Sequence, residues 1–117
     1  MRAWINSESG VLLLDRQIEV QQERILVELK GCMYEDHAAL LGQELSNYVS
    51  RGYNTYIIDM SSLDYIDSSG IGVLMAINKL SQRSGGSVTL QGLKGTVREL
   101  FEITHLNKVF KLQQVSC

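Results

Sequence analysis

Proline is missing from the chain altogether, and no stretch reads as a linker, an internal repeat or a low-complexity tract. The 117 residues are therefore expected to form one domain over 1–117. Residues 1–16 are left for an N-terminal extension or an extra strand. Lysines and arginines form no block and the formal net charge is −2, which gives no electrostatic footprint for nucleic acid. No run approaches the ~20 apolar residues of a membrane helix. The first ten residues lack the apolar segment of a signal peptide, and Val11 to Leu14 is too short to supply one. The two cysteines, Cys32 and Cys117, stand far apart and make no metal-type pair. Each is expected as a buried or terminal thiol, and a reducing cytoplasm follows. Only two histidines exist, His37 and His105. Nothing local ties either to a serine, and both are expected as surface or capping residues. What remains is a chain that is 44% hydrophobic and 21% charged, enough for one core and a polar surface.

Periodicity places the elements. Gln17 to Gln21 alternates, Gln22-Glu23-Arg24 is a polar turn, and Ile25 to Lys30 reads as a second strand, so the two predict a hairpin. Val11 to Leu14 is a further strand or a stretch lying across the domain. A helix is predicted over Glu35 to Ser50. Ala38, Leu41, Leu45, Tyr48 and Val49 form its core stripe, acids fill its first turn, and Arg51-Gly52 closes it. Asn54 to Met60 has the β-branched and aromatic content of a buried strand. From Gly70 to Leu80 apolar residues recur at helical spacing, with Val73, Leu74, Ile77 and Leu80 facing the core and Ile71 and Met75 at the side. Ser84-Gly85-Gly86 stops that helix and Ser87 to Leu90 is a strand. Thr96-Val97-Arg98-Glu99 has the form of a capping box opening a helix whose buried side holds Val97, Leu100, Phe101 and Thr104. Asn107-Lys108 turns the chain into a last strand, Val109 to Leu112. The expected class is α/β: a mixed sheet of about four to five strands with helices packed against it.

Between the Asn54–Met60 strand and the next helix lie Asp67-Ser68-Ser69-Gly70. A strand, a short turn and a helix put Ser68 and Ser69 at or near a helix N-terminus, where unpaired N–H groups and the helix dipole accept an anion. A hydroxyl there is a natural cap and equally a natural carrier of a phosphate. The plain reading is that Ser68 or Ser69 caps the helix while Asp67 shapes the turn. A nucleophile elbow is excluded, because Ile66 and Asp67 stand where G-x-S-x-G needs its first glycine. Gly70-Ile71-Gly72 lacks the third glycine of a dinucleotide loop, and Gly92-Leu93-Lys94-Gly95-Thr96 lacks the order of a P-loop. No cofactor is expected. Gly72 inside a helix costs about 1 kcal/mol relative to alanine, so it marks either close approach to a neighbouring element or a surface kept flat for a partner. Asp59, Asp64 and Asp67 are close in sequence, but such residues more often shape turns than hold a metal.

The run Asp59-Met60-Ser61-Ser62-Leu63-Asp64-Tyr65-Ile66-Asp67-Ser68-Ser69-Gly70-Ile71-Gly72-Val73-Leu74 closely resembles the signature of bacterial anti-sigma factor antagonists, which are single STAS domains. Gly85 to Leu90 and Val97 to Leu106 resemble that family's fourth strand and last helix, and the likeness runs from about Gln17 to Leu112. The resemblance implies a STAS fold and a switch. A serine-kinase anti-sigma factor would be bound, and so release its sigma factor. It would phosphorylate the serine directly after the aspartate, here Ser68, and a serine phosphatase of the metal-dependent type would reverse this. Asp67, Ser69, Gly70, Ile71 and Met75 are the expected partner-contacting residues. Protein binding is expected rather than catalysis, with no nucleic acid and no membrane as partner. STAS domains also serve as non-switching adaptor subunits of lipid-transport or stress-sensing complexes, which is the alternative. One position departs from the pattern: where the family often carries aspartate or asparagine three residues after the glycine, here Gly31, this chain has Tyr34.

Overall fold

The computed structural model describes residues 5–6 and 14–113. Among them the chain runs β1 (Ile5–Asn6), β2 (Leu14–Gln21), β3 (Arg24–Met33), α1 (Glu35–Ser50), β4 (Thr55–Ile66), α2 (Ser68–Arg83), β5 (Ser87–Gln91), α3 (Gly95–Ile103), a 3-10 turn (Leu106–Lys108) and β6 (Lys111–Gln113). The six strands form one sheet in sequence order. β1, β2 and β3 pair antiparallel, whereas β3 through β6 are parallel neighbours. The expected mixed α/β sheet and the β2–β3 hairpin are present, with the two-residue β1 added at the edge. Of the stretch Val11 to Leu14, residues 11–13 lie outside the described residues, and Leu14 opens β2. Cys117 also lies outside them.

Because the parallel strands follow one another in one direction, right-handed crossovers set all three helices on the same face of the sheet. The strands show this by alternation. Tyr56, Ile58 and Met60 of β4 are buried, while Ile57, Asp59 and Ser61 between them are only half-buried. Ile25, Val27 and Leu29 of β3 and Val88 and Leu90 of β5 join the same core, which Ala38, Leu41 and Leu45 of α1 and Leu74 and Ile77 of α2 close from above. Two polar links fasten α1 to the sheet. The buried Tyr56 hydroxyl donates to the Leu45 carbonyl, and burial pushes its phenol pKa up to about 12. Arg16 of β2, itself buried, donates to both carboxylate oxygens of Glu44, the Nη2 contact at 3.2 Å.

Two expected boundaries shift. The strand expected to stop at Met60 continues to Ile66, because Gly31, Cys32 and Met33 pair with Leu63, Tyr65 and Ile66 past two register shifts. Thr96 is not a cap. The helix has already begun at Gly95 with Lys94 as its N-cap, and the Thr96 hydroxyl donates to the Asp64 carbonyl at 3.4 Å. At the far end Thr104 is exposed rather than buried: it is the C-cap, and its hydroxyl donates to the Leu100 carbonyl at 2.7 Å. Phe110, not Val109, is the buried residue leading into the last strand, which starts at Lys111.

Candidate functional site

The site is the corner where β4 leaves the sheet and α2 begins. Ile66 is held by pairing with Met33, and the Asp67 N–H donates to the Met33 carbonyl at 3.3 Å. Asp67 is extended (φ −101°, ψ −176°) and forms the N-cap of α2, its Oδ1 accepting from the Gly70 N–H at 3.1 Å. The capping role expected for a serine thus belongs to the aspartate. Ser68 is the first helical residue and is exposed; Ser69, the second, is half-buried. The earliest N–H groups of a helix have no intrahelical partner, and the dipole's positive end lies there, so an anion on the Ser68 oxygen is tolerated by the fold itself.

The other expected contact residues are buried or half-buried against the core. Gly70 is buried and faces the sheet: a Cβ there would stand 2.6 Å from Ile66 Cγ1 and 2.8 Å from Met33 Sδ. Its value is that it lets the first turn of α2 lie close on β3 and β4, so it offers a partner no side-chain surface. Ile71 and Met75 are half-buried and packed against the core. Gly72 is exposed with nothing within 4 Å of a Cβ built on it. Close approach to a neighbour therefore does not account for it, and it leaves a bare stretch of helix one turn from Ser68.

Two tyrosines, Tyr34 and Tyr65, complete the corner. Tyr34 is the N-cap of α1 with no side-chain capping bond. Its ring lies 5.2 Å from that of Tyr65, centre to centre, at 37°, and both remain more than 40% exposed. The Cys32 thiol beside it is the main cause raising the Tyr34 phenol pKa, with desolvation, Tyr65 and Asp67 adding in the same direction. His37 lies underneath, ring centre 6.5 Å from Tyr34. It is buried rather than on the surface, with no partner for its Nδ1. In the strand Tyr65, like Asp64 before it, is exposed between the buried Leu63 and Ile66.

A match to the STAS domain family covers residues 15–116. The chain belongs to the STAS family. Its relatives include BtrV of Bordetella bronchiseptica, which carries the name of an anti-sigma factor antagonist and is 34% identical over 70% of this chain and 71% of that protein. The anti-sigma-B factor antagonist of Bacillus subtilis is 28% identical over 85% of this chain and 92% of its own length. The solved structure of Bacillus SpoIIAA in its phosphorylated form has a TM-score of 0.72 at 21% identity, covering 86% of this chain and 91% of that one. In this STAS domain Asp59, Asp64 and Asp67 do not converge. Among the described residues no three histidine, cysteine or acidic side chains come together as a metal site. Asp59 instead accepts from the Ser61 N–H at 2.9 Å and its hydroxyl at 2.7 Å. No described helix is long and apolar enough to cross a membrane. A hollow of about 700 Å³ lies between α3 and the ends of β5 and β6, with Ser61 in its lining but neither Ser68 nor Ser69.

Proposed function

We propose that this chain is an anti-sigma factor antagonist that docks the start of α2 onto a serine-kinase anti-sigma factor in the cytoplasm and is released when that kinase phosphorylates Ser68. The observation that carries the reading is the exposed Ser68 directly after the Asp67 cap. The names of its relatives, and the phosphorylated form of one similar fold, support it. The action is binding, not catalysis. Phosphate brings about −1.5 to −2 charges at pH 7, set beside Asp67 and near Asp64 on a face that must approach the kinase's nucleotide. Like charges brought together across an interface cost several kcal/mol, and each 1.4 kcal/mol is about tenfold in affinity. Inside the domain the same phosphate meets a helix N-terminus, so the switch ends docking without unfolding. A serine phosphatase of the metal-dependent type restores the docking form.

The test is incubation with ATP and each serine-kinase anti-sigma factor of the same genome. One phosphate on Ser68 by tandem mass spectrometry, abolished in Ser68→Ala, supports the reading. Labelling that persists in Ser68→Ala counts against it. A chain that takes no phosphate yet holds a transporter ATPase is the non-switching adaptor instead.

A further inference from the structure

We propose that Tyr34 and Tyr65 form a ring platform that receives an arginine side chain of the docking kinase; this rests on the reading above and names the chemistry of the partner's contact. Among the exposed large side chains, Tyr34 and Tyr65 are two rings that stay 41% and 43% exposed while packed on each other at 5.2 Å. Neither ring is needed as a cap. They stand at the ends of β3 and β4, beside the residue that caps the switch helix, and the Asp67 carboxylate is near enough to act on the Tyr34 phenol. Aromatic side chains held open in this way are the common anchors of protein interfaces.

The surroundings select the occupant. Exposed Glu35 and Asp36 follow Tyr34, exposed Asp64 precedes Tyr65, and Asp67 lies two residues beyond. From Cys32 to Asp36 and from Leu63 to Leu74 there is no lysine or arginine. A purely apolar knob would strip water from those carboxylates and return nothing. A second copy of this chain would set acid against acid. An arginine answers both features, because its guanidinium stacks flat on an aromatic face, is weakly hydrated, and still donates to a carboxylate at the ring edge.

Affinity for the serine-kinase anti-sigma factors of the same genome is to be measured for the intact chain, for Tyr34→Phe with Tyr65→Phe, and for Tyr34→Leu with Tyr65→Leu. Circular dichroism checks the fold of each. The phenylalanine pair keeps the ring faces and binds within about twofold of the intact chain. The leucine pair keeps apolar area but loses the π-faces, and binds about tenfold more weakly. Leucine variants that bind as well as the intact chain, or phenylalanine variants as weak as the leucine ones, overturn the arginine contact while leaving the antagonist reading intact. An intact chain that binds none of these kinases overturns both. If the leucine pair does not fold, the aromatic ring protons of the intact chain decide: Tyr34 and Tyr65 resonances shift on adding the kinase, and their standing still overturns the inference.

Discussion

Asp67 and Gly70 are joined by a hydrogen bond from the glycine N–H to the aspartate Oδ1 at 3.1 Å, and Ser68 sits between them, exposed. The bond turns the carboxylate back onto the helix it starts, so that the next residue carries the outward hydroxyl. One acid therefore both opens α2 and sets where the exposed Ser68 stands.

Removing that acid should loosen the corner. Asp67→Ala is expected to cost about 1 kcal/mol of stability, a fall in Tm of about 5 °C for a domain of this size. Asp67→Asn keeps an acceptor for the Gly70 N–H and should melt close to the unmodified chain. Thermal unfolding followed by circular dichroism reads both.

The two glycines of α2 should respond in opposite directions. At Gly70 a methyl group meets Ile66 and Met33 at 2.6 and 2.8 Å, so Gly70→Ala should destabilise by about 1–3 kcal/mol through overpacking. At Gly72 it meets nothing within 4 Å, so Gly72→Ala should stabilise by up to about 1 kcal/mol through helix propensity. If the bare stretch at Gly72 is partner surface, the same change weakens kinase binding while raising Tm. Melting and binding measured on the one variant separate the two effects.

Alkaline pH should act through Tyr56. Its folded pKa is raised to about 12 by burial, above the ordinary tyrosine value of about 10. The native state thus holds the phenolic proton more tightly than the unfolded chain does. Its contribution is complete below pH about 10 and is lost as pH rises toward about 12. Chemical denaturation at pH 8 and pH 11 should show a falling stability, and Tyr56→Phe should flatten that dependence at the cost of the bond to the Leu45 carbonyl.

Much of this fold could be read from local pattern because local and global demands agree. The helix Glu35–Ser50 has its acids, its apolar stripe and its Arg51-Gly52 end in the right places, and forms over that span. The continuation of β4 through Ser61-Ser62-Leu63-Asp64 could not be read that way. Those residues have little strand preference, and only pairing with the end of β3, after its register shifts, draws them into the sheet. The Thr96-x-x-Glu99 pattern misled for a similar reason, since the helix begins two residues earlier than a Thr96 cap would start it and the threonine hydroxyl bonds Asp64, 32 positions away in sequence. At the site, Ser68 and the acid before it were legible because they are adjacent. The choice of Asp67 over the serines as cap is a local matter, a bond to Gly70 three residues on, and aspartate and serine cap about equally well. The meeting of Tyr34 with Tyr65 depends on how β3 pairs with β4, which no spacing in the sequence carries.

The central claim is that charge on one exposed oxygen ends docking while the domain stays folded. The direct measurement is the affinity of the cognate serine-kinase anti-sigma factor for the chain before and after stoichiometric phosphorylation at Ser68, with backbone amide spectra recorded on both forms. A loss of affinity of about a hundredfold or more, with spectral changes confined to the start of α2 and its neighbours, is the predicted result. Equal affinity of the two forms, or loss of binding accompanied by unfolding, would contradict it.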